Sequence, residues 1–163
     1  MKKGCSYPNF NEWHVKSIFV NKRLSFAPKN FYVIDRHEQY RSFFTFKEAL
    51  DIEKKILRPN GWRLPTFEEW KIVKEDFMLA QAFAGDLNLQ LQGFVSWCDM
   101  KVYKRNRYNE YSCSLYSGLA GYYWSSEAFG AGHALALIRY DNLVYTEPVE
   151  TRNGLSIRCV ALE

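Results

Sequence analysis

The stretch GWRLPTFEEW, residues 61–70, constrains the fold more than any other ten positions of the chain. Gly61 accepts the positive φ that ends a helix, and Pro65 keeps the residues before the next helix extended. Thr66 and Glu69 have the spacing of a capping box, in which each side chain accepts the backbone N–H of the other residue. The stretch therefore predicts a rigid corner at which one helix ends and another begins.

The segment before this corner repeats the same helix-start signal. Thr45 and Glu48 form a second capping pair, which opens the run TFKEALDIEKKILRPNG. Two helices are therefore expected, one from Thr45 to the corner and one from Thr66 to about Ala84. The apolar positions of their buried sides are Phe46, Ala49, Leu50, Ile56 and Leu57 in the first helix and Phe67, Trp70, Val73 and Phe77 in the second.

Extended segments surround the two helices. Aromatic and β-branched runs predict strands before them, at residues 17–20, 24–26 and 30–35. Period-two alternation and glycine punctuation predict further strands after them, at residues 87–94, 121–126, 133–140 and 154–162. This order indicates a single α+β domain over residues 1–163, with N-terminal strands (1–44), two helices (45–84) and a sheet with ligand-facing loops (87–163).

Composition excludes a disordered or strongly charged chain. Aromatic residues make up 17% of the 163 residues, so a packed interior is expected, and a net charge of +4 permits acidic partners without requiring them. The four cysteines have no C-x-x-C pairing and no metal-like spacing with the three histidines, which favours free thiols over disulfides. Because no histidine lies in a nucleophile or metal motif, we predict a non-catalytic protein without a cofactor or bound metal.

Targeting signals are weak. No stretch approaches the ~20 consecutive apolar residues of a membrane-spanning helix. The start, MKKGCSYP, is basic but has no apolar segment behind it, so a secretory signal is not expected. A cytoplasmic or phage-associated protein is expected from the chain as written, and a cell-surface protein if a leader or anchor has been removed.

The segment KVYKRNRYNEY, residues 101–111, interleaves basic and tyrosine side chains. This mixture suits single-stranded nucleic acid, whose phosphates attract cations and whose bases stack on aromatic rings. The alternative is a solvated insertion loop that presents tyrosines to a protein. The segment is short and the net charge modest, so nucleic acid is the weaker hypothesis.

Three motifs in one order resemble a known family. NGWRLPTFEEW at residues 60–70, GYYWSS at 121–126 and GLSIRCV at 154–160 are similar to the bacterial C-type-lectin-like domains of the Fibrobacter succinogenes major paralogous group. Those domains share the fold of formylglycine-generating enzymes and of the variable proteins of diversity-generating retroelements. The resemblance covers residues 45–160 and implies a twisted antiparallel sheet, flanked by two helices, whose last strands pair near the chain start.

The resemblance also implies which residues brace the fold and which meet a ligand. In such domains the corner and the WSS and RCV segments are scaffold, here Trp62, Arg63, Pro65, Thr66, Glu69, Trp70, Trp124, Ser125, Arg158 and Cys159. Ligands are met by the irregular surface between the last two motifs, here residues 127–153, whose aromatic, arginine and glycine content suits recognition. Its candidate contact residues are Glu127, Phe129, His133, Leu135, Arg139, Tyr140, Asp141, Asn142, Tyr145, Glu147 and Glu150.

Two functions follow from the resemblance. The first is a non-catalytic binding domain, in its specific form the variable protein of a diversity-generating retroelement. The alternative is an oxidase of the formylglycine-generating type or a degenerate relative, which needs a reactive cysteine pair and a metal in the same face. Residues 127–153 contain no cysteine, and Val149 stands where calcium-binding lectins have an amide oxygen after Glu147-Pro148. We therefore predict a binding domain for a protein, peptide or glycan, with the oligomeric state left open.

Overall fold

The computed structural model describes residues 4–21, 23–79, 87–109, 114–141 and 143–162. Its helices are α1 (Phe10–Val15), α2 (Phe46–Ile52), α3 (Phe67–Leu79) and α4 (Met100–Arg105). Its strands are β1 (Ile18–Val20), β2 (Leu24–Phe26), β3 (Val33–Ile34), β4 (Tyr40–Arg41), β5 (Trp62–Arg63), β6 (Phe94–Val95), β7 (Ser114–Leu115), β8 (Ala120–Ala128), β9 (His133–Tyr140), β10 (Leu143–Glu150) and β11 (Val160–Ala161). This part of the chain mixes helices with antiparallel sheets, in agreement with the α+β class predicted from the sequence.

Two antiparallel sheets organise the described residues. The longest strands form a three-stranded sheet in the order β10-β9-β8, and a four-stranded sheet has the order β1-β2-β11-β5. Two further pairs, β3-β4 and β6-β7, complete the strand pairing. In the four-stranded sheet Val160 lies opposite Phe26, so the end of the chain pairs with a strand near its start.

Helix α2 begins where the sequence predicts. The Glu48 N–H donates to Thr45 Oγ1 at 3.2 Å, and the Thr45 N–H donates to Glu48 Oε1 at 3.0 Å. After α2 the winding changes to a π-helical turn and then a 3-10 turn over residues 53–60. Pro59 lies in this segment, and its ring would clash with the carbonyl of an α-helical turn. Gly61 then ends the helical segment with a φ of 84°, as predicted.

The predicted corner at the start of α3 is confirmed, and the Glu69 carboxylate has one more partner there than a capping box requires. The Thr66 N–H donates to Glu69 Oε1 at 2.8 Å, and the Glu69 N–H donates to Thr66 Oγ1 at 3.2 Å. Arg63 of β5 donates two further bonds to the same carboxylate, at 2.6 and 2.8 Å. Because a doubly bonded guanidinium and carboxylate fix each other's orientation, the start of α3 is fastened to β5.

Trp62 and Trp70 enter separate hydrophobic cores on the two sides of this corner. The first core contains Trp62 and the α2 side chains and includes Trp124 and Ile138 of the three-stranded sheet. The second core contains Trp70 and the α3 side chains and includes Leu137. Leu137 and Ile138 are consecutive in β9, so alternate side chains of one strand enter the two cores. The central strand β9 is therefore buried on both faces over much of its length.

The sequence predicts extended structure throughout the first 44 residues, and this prediction is wrong for one segment. The predicted strand runs are present as β1, β2 and β3, with β2 at its predicted length and β1 and β3 shorter, but residues 10–15 form helix α1. The Glu12 N–H donates to the Asn9 side chain at 3.1 Å, and Phe10 and Trp13 are buried one turn apart. One such pair in six residues is too short a pattern to reveal helical periodicity. The predicted end of the second helix, near Ala84, lies outside the described residues.

Residues 87–92 alternate as a strand would, yet they join no sheet. Leu87 and Leu89 are buried in the second core, as the alternation predicts. Their carbonyls accept hydrogen bonds from side chains instead of a neighbouring strand: Arg158 donates to Leu87 O at 3.1 Å and Arg139 to Leu89 O at 2.7 Å. Period two shows which side chains are buried and does not show whether a partner strand exists.

Arg158 binds two distant segments of the chain from inside the fold. It is fully buried, and its two Nη atoms donate to the carbonyls of Pro28, Leu87 and Asn88 at 3.0 to 3.3 Å. Burial lowers the pKa of the guanidinium because the charged form loses its water. The carbonyl oxygens around it replace that water, and they also hold an irregular segment in place.

We expect Arg158→Met to lower the free energy of unfolding by about 3 kcal/mol or more, because buried carbonyls lose charge-assisted partners. Methionine keeps an unbranched side chain and removes only the fork of donors. Urea denaturation of this variant and of the control Arg152→Met measures the difference in unfolding free energy, because the Arg152 side chain is 62% exposed. A loss below about 1 kcal/mol in Arg158→Met would contradict this role.

Candidate ligand-binding face

The segment predicted to form an irregular ligand surface is instead largely a regular hairpin. The predicted strand at residues 133–140 is confirmed as β9. It pairs with β10 from His133 opposite Glu150 to Tyr140 opposite Leu143, which corrects the expectation of an irregular surface over residues 127–153. The tight turn between them begins at Asp141, whose φ of 53° suits an Asp-Asn turn. A regular ladder fixes which side chains point to each face of the sheet.

This alternation separates the candidate contact residues into two groups. Residues that are directly opposite each other in neighbouring strands share a face of the sheet. The register therefore places Tyr140, Tyr145 and Glu147 on the face of the first core, and His133, Leu135, Arg139 and Glu150 on the face of the second core.

The first-core face ends in an exposed group of tyrosines. Tyr122, Ile138 and Tyr145 lie side by side across β8, β9 and β10, and Ile138 is fully buried beneath this group. The centre of the Phe94 ring lies 4.6 Å from that of Tyr122 and 6.1 Å from that of Tyr116. The exposed fractions are 53% for Tyr116, 45% for Tyr140, 57% for Leu143 and 37% for Tyr145. We name the set Tyr116, Tyr122, Tyr140, Leu143, Tyr145 and Glu147 the tyrosine face.

Electrostatics show that these side chains lie within reach of one another. Burial, followed by the neighbouring Tyr145, Tyr116, Glu147 and Tyr140 side chains, raises the pKa of Tyr122 to about 12. Burial, Glu147 and Tyr140 also raise the pKa of Tyr145. Of these groups only the Glu147 carboxylate is charged at neutral pH, because the tyrosines are protonated there. Glu147 is therefore the source of negative potential on the tyrosine face.

Two of the other candidates make contacts within the fold. Arg139 donates to Leu89 O and lies over the Phe77 ring, with its guanidinium carbon 5.8 Å from the ring centre. Glu127 accepts the N–H of Phe67 at the start of α3. These two side chains hold segments of the fold in place, whichever ligand the protein has.

The remaining candidates lie away from the tyrosine face. Glu150 is paired with Arg152 at 3.1 Å, and His133 contacts Ala131 O at 3.3 Å. Phe129 is 55% exposed in the turn before β9. Asn142 lies outside the described residues. The candidate set therefore gathers at one place only through Tyr140, Tyr145 and Glu147, with Asp141 in the adjoining turn.

Residues expected to be scaffold make contacts between elements. The Trp124 indole donates to Phe44 O at 2.7 Å, and the Trp70 indole donates to Trp124 O at 3.1 Å. Ser125 Oγ donates to Leu135 O at 2.6 Å, between β8 and β9. Pro65 and Cys159 are buried beside them.

The cysteines bear on the oxidase alternative. Cys159 is fully buried, and burial raises the pKa of its thiol, so the nucleophilic thiolate is disfavoured there. Cys98 is exposed and Cys5 half-buried, and both are free. Cys113 lies outside the described residues. Within the described ranges, no three side chains among His, Cys, Asp and Glu are grouped so as to hold a metal ion.

The basic segment separates its cations from its rings. Lys101, Lys104, Arg105 and Arg107 are exposed along and after α4. Tyr103 is fully buried, and its hydroxyl oxygen accepts the Ser42 and Phe43 N–H groups at 3.1 and 3.2 Å. Tyr103 therefore fills the interior and is not available to stack on a base.

A cleft of about 620 Å³ lies elsewhere, between the N-terminal segment, the β3-β4 turn and α2. Its centre is an ion pair of Arg41 with Glu48, and the Arg41 guanidinium lies 4.8 Å from the ring centre of Phe44 and 5.3 Å from that of Tyr108. Although burial raises the pKa of Glu48, Arg41, the Thr45 N–H and Lys104 outweigh it and lower that pKa to about 2. The charges at the centre of this cleft thus neutralise each other.

Comparisons of the chain with protein families, with curated proteins and with solved structures find no match. No helix among the described residues is both long and apolar enough to cross a membrane.

We expect Glu147→Gln to lower the pKa of both Tyr122 and Tyr145, since removal of the carboxylate charge removes one cause that raises them. The measurement is an NMR titration of tyrosine Cζ resonances, assigned with Tyr122→Phe and Tyr145→Phe. Glu68→Gln, on the exposed side of α3, is the matched control and leaves both pKa values unchanged. Unaltered titration in Glu147→Gln would show that its carboxylate does not act on the tyrosine face.

Proposed function

We propose that this protein is a non-catalytic recognition domain that binds its ligand through the tyrosine face. The observation that carries the proposal is that Tyr140 and Tyr145 are exposed together near one end of the three-stranded sheet. Tyr116, which stacks on Phe94, is exposed nearby. Tyrosine gives a large contact area with few rotatable bonds and a polar tip, so it contributes binding energy at a small loss of conformational entropy. An exposed cluster of such residues is typical of an interaction site.

The proposed site rests on a rigid support. Leu137 and Ile138 of β9 are fully buried on opposite faces, and Trp124 of β8 is hydrogen-bonded on both sides. The tyrosine face is therefore held in one geometry before a ligand arrives, which reduces the entropy lost on binding. Its exposed side chains contact little of the interior, so substitutions there leave the support intact.

The finer form of the proposal is a C-type-lectin-like variable protein of a diversity-generating retroelement. The order of the GWRLPT, YYWSS and SIRCV motifs supports it, together with an antiparallel sheet between two capped helices and an end strand paired near the chain start. In such a protein, sequence variation falls on outward-facing positions of a constant scaffold. Here those positions are Tyr140, Leu143, Tyr145 and Glu147, and Arg139 is excluded by its bond to Leu89 O.

Substitutions in the tyrosine face test whether its side chains contribute to the stability of the fold. We expect Tyr140→Ser, Leu143→Ser and Tyr145→Ser each to change the free energy of unfolding by less than about 1 kcal/mol. Leu137→Ala, a buried change in the same hairpin, is the control and costs about 2 to 5 kcal/mol. Urea denaturation gives both values. Face substitutions as costly as Leu137→Ala would contradict the proposal.

Related genes test the finer form. We expect sibling copies of this gene to differ at the four outward positions and to retain Trp124, Leu137 and Arg158, whose side chains are fully buried. Sequencing of the locus should also reveal a near-identical template repeat beside a reverse-transcriptase gene. Differences spread evenly over core and surface, with no such neighbours, would leave a generic binding domain and remove the retroelement assignment.

A further inference from the structure

In the described residues four cations lie over aromatic rings, and none of these rings belongs to the tyrosine face. These pairs are Arg41 over Phe44 and Tyr108, Lys71 over Phe67, Arg139 over Phe77, and Arg152 over Trp97. The Arg Cζ or Lys Nζ atom lies 4.2 to 5.8 Å from the ring centre in each. Within the described ranges, no lysine or arginine lies over Phe94 or over any tyrosine of the tyrosine face. The tyrosine face is thus a group of neighbouring exposed rings over which, in the described residues, no lysine or arginine lies, although such a cation is a partner that rings attract.

The charge around these rings has one sign. Strands β8, β9 and β10 contain one arginine and no lysine, and that arginine, Arg139, points to the opposite face. The tyrosine face itself carries the exposed carboxylate of Glu147, and Asp141 lies in the adjoining turn. The whole chain, by contrast, has a net charge of +4. This face is thus an acidic and aromatic patch on a basic protein, which favours a cationic partner and disfavours nucleic acid.

The shape of the face also restricts how a partner binds. Tyr122, Tyr140 and Tyr145 surround the buried Ile138, so a group that sits above Ile138 has ring faces or edges on three sides. Leu143, 57% exposed beside Tyr140, offers apolar surface to an aliphatic stem. Pro148 lies in the edge strand β10 and lacks an N–H, so addition of a partner strand along the whole edge is disfavoured.

We propose that the tyrosine face binds a segment of another protein by taking an arginine side chain between Tyr122, Tyr140 and Tyr145, with Glu147 as its counter-ion. The guanidinium stacks on aromatic rings and pairs with a carboxylate, and its three-carbon stem packs on Leu143. This inference rests on the proposed function of the same face and specifies its partner. It makes the charge of the partner, and not only its shape, the source of selectivity.

Peptide pools test the inference. Three pools of random peptides differ only in a central arginine, citrulline or glutamate, and citrulline keeps the shape of arginine without its charge. We expect the wild-type protein to bind the arginine pool about tenfold more tightly than the citrulline pool, and the glutamate pool most weakly. Biolayer interferometry with immobilised protein gives the three apparent affinities at one fixed ionic strength.

Variants locate the effect. Tyr140→Ala and Tyr145→Ala should weaken binding of the arginine pool at least about fivefold. Glu147→Gln should reduce the preference for arginine over citrulline, while Glu68→Gln, far from the face on α3, keeps the wild-type preference. Circular dichroism confirms that each variant is folded.

The outcomes separate this inference from the proposed function. If arginine and citrulline pools bind equally and both are weakened by Tyr140→Ala and Tyr145→Ala, the face binds ligands but the cationic partner is wrong. If no pool binds, or if binding ignores both substitutions, the binding function of this face also fails. Self-association in sedimentation velocity that Tyr145→Ala abolishes would make the occupant a second copy of this chain, and would overturn a separate partner protein.

Discussion

Trp124 joins the two halves of this structure. Its indole N–H donates to the carbonyl of Phe44, just before α2, and its own carbonyl accepts the indole N–H of Trp70 in α3. One residue of the three-stranded sheet thus bonds both to the main chain just before one helix and to a side chain of the other helix. Both polar groups are buried, so each bond removes an unsatisfied donor that would otherwise cost about 1 to 3 kcal/mol.

The same sheet explains why the surface divides into rigid and exposed parts. Consecutive residues of β9 enter opposite cores, one beneath α2 and one beneath α3. Trp124 of β8 and Ala136 of β9 are fully buried, whereas Tyr140, Leu143 and Tyr145 are exposed towards the β9-β10 turn. A binding face on such a sheet is rigid because the two cores pack against the sheet. The exposed side chains remain free to serve recognition because they contribute little to either core.

Irregular segments are held by side chains where no ladder reaches them. The buried guanidinium of Arg158 donates to Pro28, Leu87 and Asn88 carbonyls, and Arg139 and Tyr123 donate to Leu89 and Gln90 carbonyls. Three side chains from the sheet and its final segment thereby replace a strand partner for residues 87–90. Arg139 lies on the second-core face, opposite the tyrosine face, and its bond to Leu89 O holds it within the fold.

Local chemistry was sufficient for the sequence to determine both capped helix starts, the Gly61 exit and the mixed α and β composition. Thr45 with Glu48, and Thr66 with Glu69, form bonds within four residues, and no distant partner is needed for them. The sequence did not determine whether residues 87–92 pair in a sheet, or which residues of 127–153 share a face, because both depend on partners far along the chain. Tyr116, Tyr122 and Leu143 were missed for that reason: the pairing of β8, β9 and β10 brings Tyr122 and Leu143 beside Tyr140 and Tyr145, and Tyr116 joins them through the Phe94 ring. Tertiary structure decided the site because a strand's period of two gives two faces, and only packing decides which of them, and how much of it, stays open to water.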